Sequence, residues 1–328
     1  MQFPGMWRAY RSLNSRIWRR LPESIRSSSL GRAYGDHLHG LVRLHTERGQ
    51  NHSTFFFRNH AELDVIRHLV DKEAHGSPVN LCVLGCSNGA EVYSILWSLR
   101  SRRPDLKIST FAVDISQDIL DVAKRGVYSL TTPDVVKTPS VDILLDLFER
   151  ISREEMEGLF DQRLDQAIVK SWLKEGITWL CQDATDSGLL RVIEPQDIVV
   201  ANRFFCHMTS ADADKGLRNV AGLVKPGGYL FVTGIDVDVR TTVAQVMGWK
   251  PITDLMKEVH EGDPSLTNGW PVEYWGLEPF STRRPDWQIR YASVFQIGER
   301  PRVDSIPGSA WTTCPPVTMG SSGVSPAP

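Results

Sequence analysis

Two spacings of apolar residues divide the chain. "VNLCVL" (79–84) is an almost unbroken apolar run of strand length, and "EVYSILWSL" (91–99) carries Val92, Ile95, Leu96 and Leu99 at helical spacing. The alternation recurs downstream. "LKISTFAVD" (106–114) predicts a strand ending on Asp114, and "SQDILDVAKRG" predicts a helix opened by Ser116 and stopped at Gly126. Upstream, "AELDVIRHLVDKEAH" (61–75) predicts a helix broken by Gly76-Ser77-Pro78. Residues 140–175 read as amphipathic helix, with Val141, Leu144, Leu145 and Phe148 early and Ile168, Val169, Trp172 and Leu173 late. "GITWLCQD" (176–183) and "QDIVVANRFF" (196–205) predict further strands, and "SADADKGLRNVAGLV" (210–224) a helix. "YLFVTG" predicts a strand after the turn Lys225-Pro226-Gly227-Gly228, and "IRYASVFQIG" (289–298) the last one. Strands alternating with helices imply an α/β fold, a mostly parallel sheet with helices on both faces.

Ligands of such sheets sit beyond the carboxyl ends of the strands. The pattern therefore gathers the 85–89 turn, Asp114, Asp183 and Asn202 on one rim. In the turn, Gly85 and Gly89 frame Cys86-Ser87-Asn88, and the helix that follows begins with Glu91. The run does not match the dinucleotide fingerprint G-x-G-x-x-G in its middle and last glycines. An acid at the helix start would repel a pyrophosphate but suits a cationic centre. Asp114 stands where an acid grips ribose hydroxyls. An adenosyl group joined to a positive charge describes S-adenosylmethionine (SAM).

The motifs then line up with a family. "TFFFRN" (54–59), "LGCSNGAEVYS" (84–94), "FAVDISQDILDVAKRGVYS" (111–129) and "KPGGYLFVTG" (225–234) resemble, in order and spacing, those of the chemotaxis-receptor glutamate methyltransferases (CheR type). The resemblance covers about residues 51–240. It implies a class I methyltransferase fold, Rossmann-like, with SAM as methyl donor and S-adenosylhomocysteine as product. It implies cofactor contacts from Thr54 and Arg58, from Gly85, Cys86, Ser87 and Gly89, and from Glu91. Asp114 with Ile115, Asp183 with Ala184, and Asn202 complete that set. The sequence also departs from the family. The Gly-Glu-Glu-Pro of the family reads Gly89-Ala90-Glu91-Val92 here, so one acid is missing. The pair after the fourth strand is reversed to Asn202-Arg203, and His207 replaces a tyrosine.

Methyl transfer from a sulfonium is an in-line displacement, so the acceptor must be aimed. A carboxylate needs only a cation, for which Arg58 and Arg203 are the candidates. Arg58 also precedes Glu62 by four residues, so the two could simply pair along one helix. A hydroxyl or amine acceptor is helped by a base, for which His207 and His260 are the candidates. Residues 249–291 hold Trp249, His260, Trp270, Tyr274 and Trp275 among several acids, a composition suited to an acceptor wall or to a satellite core. The expectation is O-methylation of a small organic acceptor, carboxylate or hydroxyl. A protein glutamyl carboxylate is the alternative, and a non-catalytic SAM-binding module the second.

Charge and composition adjust this picture at its ends. The 328 residues carry 37 basic and 39 acidic side chains, a near balance that argues against a nucleic-acid partner. Arg8, Arg11, Arg16, Arg19, Arg20, Arg26 and Arg32 nevertheless crowd the start, against Glu23 alone. Residues 1–50 thus read as a basic helical arm, open to three uses beyond simple docking: an anionic membrane surface, a partner, or transit to an organelle. Residues 51–300 read as the methyltransferase domain, and 301–328, rich in Pro, Ser and Gly, as a flexible tail. No apolar run reaches the length of a membrane span. The five cysteines form no C-x-x-C pair and read as reduced thiols, most of them buried, in a cytoplasmic protein without a metal.

Overall fold

The computed structural model describes residues 4–45, 54–73, 78–131, 134–137, 142–263, 266 and 269–298. The chain opens with α1 (Pro4–Arg20), α2 (Glu23–Arg26) and α3 (Ser29–His45), then enters the core through α4 (His60–Glu73). The predicted alternation follows as β1 (Val79–Leu84), α5 (Ala90–Arg100), β2 (Ile108–Asp114) and α6 (Gln117–Arg125). An insertion comes next: β3 (Val127–Ser129), β4 (Asp134–Lys137), β5 (Asp142–Leu145), α7 (Arg153–Leu159), β6 (Phe160–Arg163), β7 (Gln166–Val169) and α8 (Ser171–Lys174). The core resumes with β8 (Ile177–Cys181), β9 (Gln196–Val200), α9 (Ser210–Ala221), β10 (Val224–Phe231) and α10 (Val237–Val246). It closes with β11 (Lys250–Pro251), α11 (Met256–Glu261), α12 (Trp287–Tyr291) and β12 (Val294–Gln296).

Seven strands form one sheet in the order β11-β12-β10-β9-β1-β2-β8. The five from β10 to β8 are parallel, and β12 runs antiparallel beside β10. The unbroken apolar runs follow from this position. Leu81, Cys82, Val83 and Leu84 of β1 are fully buried, because helices cover both faces of a parallel sheet. The chain leaves β1 towards β8 and then returns to β9 on the other side. The crevice beyond the carboxyl ends of β1 and β9 is thus the switch point where ligands bind in open α/β sheets. This is the expected α/β, Rossmann-like arrangement of a mostly parallel sheet with helices on both faces.

Three expectations are corrected. Residues 140–175 are not one amphipathic helix; the described part, from 142 on, holds two short helices and the strands β5, β6 and β7. β7 pairs antiparallel with both β3 and β6 in a small sheet whose buried residues include Phe160, Ala167 and Val169. Apolar spacing over short strands and turns imitated a helical period there. The predicted strand 289–298 is divided. Trp287–Tyr291 is helical, with Arg290 held by Glu278 and Asp238, and only Val294–Gln296 pairs with β10. The strand predicted over 196–205 stops at Val200, where Asn202 and Arg203 leave the sheet. The Pro-Gly-Gly turn lies inside β10, as a register shift between Val224 and Tyr229.

The arm docks rather than dangles. Trp18 of α1 meets Trp270 edge-on, with ring centroids 5.2 Å apart, and Leu38 of α3 completes this small core. Gly35 is required there, since a Cβ would lie 2.1 Å from the Trp270 ring. Arg11 donates to the Val272 carbonyl and to Glu273, and Arg43 pairs with Asp236 and Asp238. Cys82 and Cys86 are buried, whereas Cys181 is exposed and Cys206 half-buried. Cys314 and the expected tail lie outside the described residues.

Candidate functional site

The turn after β1 needs residues that tolerate positive φ. Gly85, Ser87 and Gly89 lie at φ 65°, 48° and 87°. Gly89 also caps α5 in the left-handed conformation, and a Cβ there would crowd Ala123, Tyr93 and Trp179 at 3.1–3.3 Å. Asp114, at the end of β2, ties this turn down. Its two carboxylate oxygens accept the Ser87 and Ser116 amides at 2.8 and 3.1 Å. Each oxygen keeps a lone pair for a further donor, as gripping a ribose requires. Ile115 beside it is half exposed, an apolar surface on the same rim. Asp183 and Ala184 follow β8 on the next strand end, where the Gln182 amide donates to the Asp114 carbonyl. The Asp183 carboxylate accepts from the backbone and hydroxyl of Thr185.

Deeper in the crevice, Asn202 joins two buried acids. Its side-chain amide donates to Glu62 at 2.6 Å and to Glu91 at 2.8 Å, while its carbonyl oxygen accepts from the Thr233 amide and hydroxyl. Burial, then the neighbouring Glu91 carboxylate, pushes Glu62 up to about 8. Glu91 is likewise raised by burial. Two carboxyl groups sharing one donor in a dry site make a place for a positive charge. Glu62 was not among the expected site residues. Arg58, two residues before α4, makes its ion pair with Asp263, and Glu62 is held by Asn202.

Asp263 gathers three guanidinium groups: Arg58 at 3.3 Å, Arg150 at 2.9 Å and Arg203 at 3.0 Å. Arg150 also donates to the Arg58 carbonyl, and both arginines lie over the Phe55 ring at 4.7 Å. Burial and the Arg203 charge lower Arg58 to about 10. Arg203 occupies φ 62°, with Gly234 packed against its Cα, so its side chain leaves the strand end at an unusual angle. It is the most exposed of the three, its side chain 26% accessible against 14% and 12% for Arg58 and Arg150.

The remaining candidates separate. Thr54 is buried beside Phe55 and Phe56. His207 ends the short turn Phe205–His207 just past Arg203. Tyr274 of the aromatic stretch reaches this turn, donating its hydroxyl to the Cys206 carbonyl at 2.7 Å. His260 is placed among Glu278, Phe280 and Tyr291, with Nε2 donating to the Glu278 carbonyl at 2.8 Å, and burial holds it down to about 4. It is thus a packed, neutral ring whose Nε2 is already committed, and the role of base expected for it is corrected. Trp249 and Trp270 are interior as well. Most of the large aromatics of 249–291 therefore serve cores.

The donor set fits SAM on its own chemistry: two glycine positions without room for a Cβ, an acid with free lone pairs on the rim, and two buried carboxyls deeper in. The comparisons with known proteins agree in kind. The model of the family described as "CheR methyltransferase, SAM binding domain" matches residues 52–244. A chemotaxis protein methyltransferase of Vibrio parahaemolyticus is 26% identical over 187 residues, 55% of this chain and 62% of the relative. One from Borreliella burgdorferi is 30% identical over 99 residues, 27% of this chain and 35% of the relative. The chain thus spans less than two thirds of the length of these relatives. Among solved structures, magnesium protoporphyrin IX methyltransferase of Synechocystis PCC 6803, with bound SAM, is 14% identical and covers 67% of this chain and 86% of its own, with a TM-score of 0.33.

Proposed function

This chain belongs to the CheR methyltransferase family, with residues 52–244 as its SAM-binding domain, and we propose that it transfers the SAM methyl group to a carboxylate. The observation that carries this reading is the triple-arginine cluster. Its three guanidiniums already close on one carboxylate, that of Asp263, so their geometry suits the functional group being methylated. Arg203, the most exposed of them, is the member that would meet the acceptor.

SAM supplies an electrophilic methyl carbon on a positively charged sulfur. Asp114 and the 85–89 turn would hold the adenosine, and Glu62 and Glu91 would face the charge. An acceptor oxygen held by Arg203 would form the new O–C bond as the C–S bond breaks. The bonding pair leaves with sulfur and no proton moves. A carboxylate with a reference pKa near 4 is already ionised, so no base is needed. His207 is then a neighbour of the acceptor rather than a proton carrier.

A protein side-chain carboxylate is the acceptor we favour over a small organic acid. The aromatic stretch that motivated a small acceptor is largely interior, and the relatives named above are chemotaxis protein methyltransferases. Incubation of the protein with methyl-labelled SAM and cell extract tests both points. The expected result is label on macromolecules, released by mild alkali as methanol. Alkali-stable label would remove the carboxylate reading, and organic-extractable methyl ester would restore the small acceptor.

A further inference from the structure

Helix α1 has two apolar sides, and only one of them is used. Asn14 and Trp18 are buried against the body of the protein. Met6, Tyr10, Leu13 and Ile17, spaced four, three and four apart, form a second stripe that remains 70%, 39%, 59% and 43% exposed. Arg16 and Arg20 border it, each three residues beyond Leu13 and Ile17. Arg8 and Arg19 stand on the far side of the helix. Among the described residues none of these four arginines enters an ion pair, while Arg11 is taken by Glu273. No helix among the described residues is long and apolar enough to cross a membrane.

We propose that α1 is an interfacial helix that lays the Met6–Tyr10–Leu13–Ile17 stripe into an anionic lipid surface. The charge distribution selects this occupant. A second copy of the same face would set Arg16 and Arg20 against their own counterparts, which repel. A lipid headgroup layer of negative charge attracts every arginine within a Debye length, roughly 8–10 Å. That distance is comparable to the roughly 10–12 Å diameter of a helix, so Arg8 and Arg19 feel a screened share of the field without touching the surface. Arg16 and Arg20 can run their apolar stems along the stripe and leave their guanidiniums among the headgroups. Because Trp18 and Arg11 fix the other side of α1 to the domain, binding would orient the whole enzyme on the membrane.

The test is co-sedimentation of the full chain with phosphatidylcholine vesicles, with and without about a quarter of phosphatidylglycerol. We expect partitioning at least tenfold stronger onto the anionic vesicles, falling back to the neutral value in about 0.5 M salt. Leu13→Ser/Ile17→Ser and Arg16→Glu/Arg20→Glu should each weaken it about tenfold or more. Melting temperatures should hold, since these side chains are exposed. No pelleting with anionic vesicles, or pelleting indifferent to both double variants, would overturn the proposal. So would a concentration-dependent dimer that Leu13→Ser/Ile17→Ser dissolves, which would give the stripe to a second copy.

Discussion

The glycine turn and the arginine cluster stand on one rim of the sheet and are built in opposite ways. The turn draws on neighbours. Gly85 to Gly89 follow a single strand, and Asp114 comes from the adjacent one, 27 residues beyond Ser87. The cluster draws on distant parts of the chain, since Arg58 and Asp263 are 205 residues apart and Arg203 and Asp263 are 60 apart. In the turn, backbone angles and close packing leave little freedom of residue type. In the cluster, ordinary surface residues acquire a role only because folding removes them from water together. Under the proposed roles, the site is strict in sequence where it would hold the cofactor and loose where it would meet the acceptor.

The largest expected effect breaks the cluster. Asp263→Ala would remove the carboxylate on which Arg58, Arg150 and Arg203 converge, and removing one partner from a buried ion pair costs about 3–5 kcal/mol. For a folded unit of about 300 residues that corresponds to a fall in melting temperature of roughly 5–8 °C. SAM affinity, measured by calorimetry below the melting transition, should change far less than stability. A loss of SAM binding with unchanged melting would reverse the assignment of the two regions.

Next comes the turn. Asp114→Ala removes the acceptor for the Ser87 and Ser116 amides and, in the proposed role, the acid that would grip the ribose. Leaving buried amides unpaired costs about 1–3 kcal/mol each, and losing the charged contact to a hydroxyl a similar amount. SAM and S-adenosylhomocysteine should both bind at least a hundredfold more weakly, because both carry the ribose. Asp114→Asn should restore part of the affinity. Titration that shows the alanine variant within tenfold of the parent would remove Asp114 from the adenosine site.

The same contrast explains what the sequence disclosed. The core strands, α5, α6 and the Asp114 rim were legible because local rules specify them: apolar runs for buried strands, glycine for positive φ, an acid where a strand ends. Glu62 looked like the surface partner of Arg58, since i, i+4 spacing on a helix always offers that pairing. Only the tertiary fold shows that Asn202, 140 residues later, claims the carboxylate. Arg150 carried no signal, and Asp263 was one of several acids in the aromatic stretch 249–291, with nothing local to set it apart. His260 misled in the other direction. A histidine among aromatics and acids suits a site, and the same surroundings also suit a packed core. The insertion at 140–175 failed because apolar spacing over four-residue strands imitates a helical period.

The last effect is the most specific to the acid pair, and it depends on pH. Glu62 is ordinarily ionised above 4.5, but in the fold burial and Glu91 raise it to about 8. Protonation therefore favours the folded chain. The stabilisation is complete below pH 4.5 and drains away as pH rises to about 8, at no more than about 1.4 kcal/mol per unit. Glu62→Gln keeps an oxygen for the Asn202 amide but cannot ionise. The variant should match the parent near pH 5 and melt higher near pH 8, the gap widening steadily between. A cationic ligand reverses the preference, since it binds best to the ionised pair. SAM affinity of the parent should rise with pH over this window, by at most about tenfold per unit. S-adenosylhomocysteine, without the sulfonium charge, should rise less, and Glu62→Gln should flatten both. Parallel melting curves for parent and variant, together with an equal pH response of the two ligands, would remove Glu62 and its partner from the place of the positive charge.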